Sequence, residues 1–563
     1  MQELRVNKIK KEICLMNNSL SDNQRRKPFL RTVPLVLGLM MTPSHSALAQ
    51  TPYSEPTGEL NANFTLPGGP ISLNEVALIT LKNSPNIQMG MMGVESSRAG
   101  YRMQRGAFDF ITSVVADIKE NRPAVAVLGA DQDTQDLTGV LIKNFRTGIS
   151  STLSVGITRT DNRANPEGPP DTLNVAHANF NLTLPLLKGR GSISAAADET
   201  AARLESQASE LQFYHDISNF LLAAINAYWD YKAAVEKLKV QKRAEQRVQK
   251  WYSETGAALQ RREGSLERVY QKYTAEISRL KGYLATKRQN TLAATEQVTT
   301  TKGALAIVMG IPSGQVANLG EPSEDFPLDW SEVLATLERQ PMQEKWKAVA
   351  LEKRFDIQAT KLKQEASATN LAKARRDVLP QLDLGLSYGY NGIELGDGFE
   401  RYTDSLTSET RGADWGATLT LTYPLGNNFA QGNRDLANAA HQMSLIQTKN
   451  LVREIGVNVE VDAGVLMRRL KVAVEAGKAV DSYSPALKQF EHAHQSLVSD
   501  PHTIFSLLDI EERLTEAEIR LVDSLQQLAK AIAQLRFKTG TLIAGGEFGK
   551  NINISDLTTL PGM

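Results

Sequence analysis

The sequence predicts a mixed α/β membrane protein made of two copies of one unit: helix, strand, strand, long helix, return helix. Each chain would hold four membrane strands and long antiparallel coiled-coil helices. Three observations carry this. First, Trp415 to Pro424 alternates Ala417, Leu419, Leu421 and Tyr423 with Thr418, Thr420 and Thr422, one apolar and one hydroxylated face of a strand. Ala178 to Pro185 repeats its Leu-Thr-Leu core; both strands end at a proline and a glycine-rich turn, and a long helical run follows each. Second, Leu81 to Gln88 aligns with Leu351 to Gln358, so the entry helix is repeated too. Third, apolar ladders of seven-residue period run through both long helices.

The chain has 563 residues with 63 basic and 63 acidic side chains, a balance that gives no support to nucleic-acid binding. Residues 1–49 read as a secretory signal peptide with an N-terminal extension. Arg25, Arg26, Lys27 and Arg31 precede an apolar stretch from Val33 to Met41, and Ala47-Leu48-Ala49 supplies the cleavage site. Met16 is an alternative start. The apolar stretch is about half of the ~20 residues that a spanning helix needs, which disfavours an anchor. The one cysteine, Cys14, lies upstream of the cleavage site, so the mature chain is expected to hold no disulfide, catalytic thiol, Cys-based zinc site or lipid-anchored N-terminus.

The elements then follow in order. Residues 50–70 form an extended leader rich in Pro, Gly, Asn and Thr. The first repeat spans 71–310, and Ser72-Leu-Asn-Glu75 has capping-box spacing at its start. Its strands lie at about 108–118 and 174–185, its long helix at 192–255 and its return helix at 266–309. About 30 extra residues sit between helix and descending strand in this copy. They read as an elaborated outer loop hairpin with a further strand at 149–160. An equatorial linker covers 311–345. The second repeat, 346–542, has strands at 381–390 and 415–424, a long helix at 433–498 and a return helix at 503–539. Residues 543–563 read as a polar tail. Ile217, Leu221, Ala224, Tyr228, Tyr231, Val235 and Leu238 step in fours and threes, a coiled-coil seam; Leu445 to Leu487 and Leu507 to Leu535 recur every seven residues.

Four strands cannot close a barrel, and an open sheet edge in lipid leaves backbone groups unpaired. The smallest such barrels hold eight strands, so more than one copy is required. A rival reading is a periplasmic coiled-coil scaffold or surface adhesin without a pore. The strand segments, alternating and placed between the helices, speak against it.

The order of elements, the Ser72 to Leu78 start, the Asn83 to Ile87 segment, the Pro185 to Gly191 turn and the Ser506 to Asp509 turn resemble the TolC-like outer membrane efflux family, over about Ile71 to Leu542. That resemblance implies a homotrimer in the outer membrane with a 12-stranded barrel, an α-helical periplasmic tunnel and an equatorial belt. It implies a periplasmic adaptor and an inner-membrane pump as partners, in efflux or type I secretion. It also places a gate of acidic side chains at the periplasmic tip. Here the candidates are Asp509, Glu512 and, in the first copy, Glu267; the bland alternative is ordinary acids at helix N-termini. Gly256, Gly264, Arg268, His502 and Thr503 are adaptor-contact candidates by position. Pro185, Gly189, Pro424 and Gly426 mark the strand-to-helix turns. His492 and His494 lie two apart on a helix and point away from each other, so solvated surface residues are expected. The acidic run Asp131 to Asp136 lacks the glycine and closing glutamate of a calcium loop, leaving an exposed loop as the default. No catalytic motif, cofactor or metal site is expected.

Overall fold

The computed structural model describes residue 66 and residues 68–122, 131–163, 171–260, 267–326, 331–339, 342–396, 400–407, 411–496, 501–543 and 559–561. The signal segment and nearly all of the leader lie outside them. The chain enters through helix α1 (Leu73–Asn83) and α2 (Pro85–Gly106). The capping box at Ser72 is formed: its hydroxyl accepts from the Glu75 amide at 3.1 Å, and the Glu75 carboxylate accepts from the Ser72 amide at 2.7 Å. A second carboxylate, Glu324, receives the Leu73 amide at 2.8 Å and the Tyr228 hydroxyl, so two acids serve the positive end of α1. Pro85 opens α2, where its missing N–H costs nothing.

All strands form one antiparallel sheet in chain order: β1 (Phe110–Asn121), β2 (Asp131–Asn144), β3 (Ser150–Arg163), β4 (Asp171–Pro185), β5 (Gln381–Leu395) and β6 (Arg411–Thr422). Six strands stand where four and an outer loop strand were expected. The segment assigned to a loop hairpin is a pair of full strands, and the acidic run Asp131 to Asp136 lies in β2, not in a loop. The outer half of β2 is polar on both faces, which hid its alternation; only Leu137 and Leu141 report it, while Val140 and Ile142 fall on the opposite face.

The registers fix which residues share a face. One face carries Phe110, Val114 and Ile118 of β1, Leu137 and Leu141 of β2, and Leu153, Val155 and Ile157 of β3. It continues through Ala178, Phe180 and Leu182 of β4, Leu384, Leu386 and Tyr388 of β5, and Trp415, Ala417 and Leu419 of β6. The opposite face carries Asp117, Asp136, Thr158, Asn179, Ser387, Asp414 and Thr418. The apolar face is open to its surroundings, with Phe110 65 %, Ile118 75 % and Trp415 83 % exposed. A short helix, α9 (Glu400–Thr407), packs against β4 and β5 in the β5–β6 connection, and Asn174 donates to the Gly396 carbonyl beside it at 2.9 Å.

From β4 the chain passes through α3 (Ser192–Ala195) into α4 (Ala197–Gln260), 64 residues long, and returns as α5 (Glu267–Met309). The expected continuous helix from Ser192 is interrupted at Ala196, which leaves helical geometry. From β6 comes α10 (Asn428–Ser496), 69 residues, then α11 (Pro501–Lys538). At 1.5 Å per residue each long helix spans roughly 100 Å. Pro485 lies inside α10 without ending it. The seam residues Ile217, Leu221, Ala224, Tyr228 and Tyr231 are buried, as are Val459, Leu466, Leu507, Leu528 and Leu535. Six threonines of α5 add hydroxyl bonds to carbonyls one turn back, from Thr286 onto Gly282 to Thr301 onto Gln297.

The largest core cluster sits where α1, α4, α10 and α11 meet the linker, with a 3-10 turn (Ser313–Asn318), α6 (Ser331–Arg339), α7 (Gln343–Lys353) and α8 (Phe355–Asp377). Trp229 stacks on Phe326 at 5.3 Å between centroids. The expected polar tail is docked at its end: the Trp346 indole donates to the Pro561 carbonyl at 3.0 Å, and Leu560 is buried. Between α7 and α8, Arg354 grips Asp356 through two bonds of 2.9 and 2.6 Å, with both side chains buried and His215 alongside.

Candidate gate and strand-to-helix turns

Near the α10–α11 turn the two helical hairpins are joined by a second apolar cluster: Val248 and Trp251 of α4, Leu280 and Leu284 of α5, Leu487 of α10, and Ile504, Leu507, Leu508 and Leu514 of α11. Polar bonds cross the same junction. Arg247 of α4 reaches the fully buried Glu511 through Nε at 2.8 Å and Nη2 at 3.0 Å, and Thr515 donates to the same carboxylate at 2.8 Å. Burial pushes the Glu511 carboxyl above its usual range, against the pull of Arg247 and Thr515. Lys287 of α5, itself buried, donates to Glu512 at 2.7 Å, and the Tyr283 hydroxyl donates to the same oxygen at 2.5 Å. Burial acts against Glu512 ionisation, but Lys287 and Tyr283 outweigh it and hold its carboxyl below the usual range.

The gate candidates therefore differ in circumstance. Asp509 is exposed and paired with Arg513 at 2.8 Å, one turn on along the same helix. Such surface pairs contribute little, about 0–1 kcal/mol, so Asp509 is held loosely. Glu512 is committed to α5. Glu267 and Arg268 begin α5, and His502 and Thr503 lie in the first turn of α11; their side chains, and all of Gly264, fall outside the described residues. Gly256 lies within α4. His494, expected in solvent, is buried, which pushes its imidazole below the usual range; His492 is exposed.

Sequence reasoning missed Arg247, Tyr283, Lys287 and Glu511. Glu511 had a readable signal, since it falls between Leu507 and Leu514 at the spacing of four and three that defines the seam; a charge there needs a buried partner. Replacing Arg247 by Met is expected to destabilise the protein by about 3 kcal/mol, the low end for breaking a buried pair because Arg247 keeps 22 % of its side chain in solvent. Urea unfolding followed by circular dichroism checks this, and Arg247→Met combined with Glu511→Leu should recover part of the loss.

At the other end of the helices, Pro185 closes β4 and Gly189 takes a φ of 83°, with Gly191 at 80° beyond it. The Gly191 amide donates to Thr147 in the β2–β3 turn at 2.9 Å. In the second copy Pro424 follows β6, but the left-handed residue is Asn427, φ 43°, next to Gly426. Its side-chain amide donates to the Val378 carbonyl at 2.8 Å, tying the start of α10 to the end of α8. Asn427→Val, unable to adopt this backbone comfortably or to make the bond, should cost about 1–3 kcal/mol in the same unfolding assay, while Asn427→Gly should cost less.

No helix among the described residues is long and apolar enough to cross a membrane, and no metal-ligand cluster occurs among them. Residues 346–541 match the family model described as outer membrane efflux protein. The resemblance to the TolC-like outer membrane efflux family is borne out. The match falls on the second repeat. Solved outer membrane proteins extend the likeness of fold over both. VceC of Vibrio cholerae aligns at TM-score 0.57 and 17 % identity, covering 83 % of this chain and 96 % of its own. The Campylobacter jejuni CmeC outer membrane channel aligns at 0.57 and 13 %, over 83 % and 85 %. The open-state MtrE channel of Neisseria gonorrhoeae aligns at 0.56 and 16 %, over 83 % and 88 %. At these identities the likeness is one of fold. No match is found among curated protein sequences.

Proposed function

We propose that this chain is the outer membrane exit duct of a tripartite efflux pump or type I secretion system, a passive conduit that three copies close together. The observation that carries the reading is the sheet. One face is apolar and open, the other mixes Asp117, Asp136, Thr158, Asn179, Ser387, Asp414 and Thr418 with Ile111, Val115, Val140 and Ile142, and the two edge strands, β1 and β6, run in opposite directions. In lipid both edges need partners, and β6 of a neighbouring copy fits β1 antiparallel. The helices, roughly 100 Å long, continue the wall into the periplasm as a tunnel. A periplasmic adaptor and an inner-membrane pump would supply energy and selectivity. A passive duct needs no catalysis of its own. Asp509 is the favoured gate acid, because its carboxylate is exposed and held only by a surface pair, whereas Glu512 is bound to Lys287 and Tyr283.

The test is single-channel conductance of the detergent-purified mature protein in planar bilayers. Discrete, cation-selective openings are expected, and Asp509→Ala should reduce the cation selectivity or divalent block. An unchanged Asp509→Ala channel would remove that residue from the gate. Well-folded oligomers that never conduct, with or without the substitution, would favour a scaffold instead.

A further inference from the structure

We infer that all six strands of each chain belong to the membrane wall, so that a closed trimer holds eighteen strands rather than twelve and its barrel is correspondingly wider. This rests on the trimeric duct proposed above and specifies its pore. The deciding feature is the β2–β3 hairpin. β2 pairs with β1 along its whole length, from Phe110 opposite Lys143 to Asn121 opposite Gln132. β3 pairs with β4 from Ser150 opposite Thr183 to Asn162 opposite Asp171. Each strand has 14 residues, more than the 9–11 that cross a bilayer when tilted.

The position of the hairpin's turn excludes an ornament on the outer surface. Residues 145–149 lie at the helical end of the sheet, where Arg146 makes two bonds of 2.6 Å to Glu199 at the start of α4 and Thr147 accepts from Gly191. Gly148, at φ 90°, packs against the Gly189 carbonyl so closely that a Cβ would collide with it. The chain therefore crosses from the outer end to the helical end and back. Chemistry agrees with geometry. Leu137 and Leu141 of β2, with Leu153, Val155 and Ile157 of β3, fall on the same face as the apolar residues of the other four strands. Polar groups bound this band: Lys143 lies over the Phe110 ring at the helical end, and Arg159 pairs with Asp161 at the outer end. A hairpin lying outside the membrane would have no use for an apolar stripe in phase with its neighbours. Barrel diameter grows roughly linearly with strand number, so eighteen strands give about 1.5 times the width of twelve, in the range where a wall encloses an aqueous channel. The added rim is lined by Asp136, Thr138, Ser154 and Thr158, with Thr138 and Thr158 both bonded to Asp136.

The test uses single cysteines in full-length protein carrying Cys14→Ser, reconstituted in liposomes. Leu141→Cys and Leu153→Cys probe the apolar face of the hairpin, Val140→Cys and Thr152→Cys its opposite face, and Leu384→Cys and Ser387→Cys report the same contrast on β5. A charged, membrane-impermeant maleimide should label Val140→Cys and Thr152→Cys at least tenfold faster than Leu141→Cys and Leu153→Cys, matching Ser387→Cys against Leu384→Cys. A fluorophore attached to Leu141→Cys before reconstitution should be quenched by lipids brominated on their acyl chains. Alternation on β5 with uniform labelling of the hairpin would overturn the eighteen-strand wall and leave the duct intact. No alternation on either would overturn both. An oligomer mass other than three copies would also overturn eighteen.

Discussion

Replacing Arg354 by Leu is expected to destabilise the protein by about 3–5 kcal/mol, the range for removing one partner of a buried ion pair. Asp356 would keep a buried carboxylate with no cation against it; Arg354 now supplies two parallel bonds and also donates to the Lys538 carbonyl at 3.3 Å, holding the end of α11. The double replacement Arg354→Leu with Asp356→Leu should recover much of the loss, since a burial penalty would no longer stand unopposed. Urea midpoints of the three variants decide it, and equal midpoints for wild type and Arg354→Leu would refute the pairing. The pH dependence has a definite sign. Burial disfavours the Asp356 anion, but Arg354 more than compensates and the carboxyl lies below its usual 3.8. Its contribution is present above that value and is lost as pH falls through the lower, folded one. His215 is pushed below 6.5 by burial, against the pull of Asp356. The unfolded chain takes up that proton first, so stability also declines as pH falls from about 6.5 toward the folded value. Acid should therefore loosen this junction in two stages, and Asp356→Leu should remove the lower one.

The second large effect concerns the sheet. Leu386→Arg, central among the apolar-face residues Leu382 to Tyr390 of β5, should cost about 2–4 kcal/mol in a bilayer if that face meets lipid. Ser387→Arg, on the opposite face of the same strand, should cost much less, because a charge there meets water. Heat-induced dissociation of the purified oligomer gives the comparison. Equal losses would show that the two faces do not divide lipid from lumen.

Most of the architecture was legible because its signals are long. The threefold Thr alternation of β6 and the seven-residue ladders of α10 and α11 follow from periodicity alone, and the capping box at Ser72 can be read from two side chains. β2 was not legible, since Asp131 to Asp136 put acids and amides on both faces and only the pairing with β1 and β3 reveals its phase. The turn into α10 was placed at Gly426, whereas Asn427 takes the left-handed backbone; Asn ranks next to Gly for that conformation, and a Gly-Asn-Asn run does not say which residue adopts it. At the tip the sequence marked exposed acids. It did not show that Glu512 is bound to α5, because Lys287 and Tyr283 are more than two hundred residues away in the chain.

The threonine hydroxyls along α5 bear on mechanics. A carbonyl that accepts both a backbone amide and a hydroxyl holds the amide less firmly, and helices bend most easily where this occurs. The weakened turns are concentrated between 286 and 301, just beyond the junction that Lys287 pins to α11. A sideways load on the tip would flex α5 there before it opened the buried seam, so this stretch works as a leaf spring between a clamped end and a rigid waist.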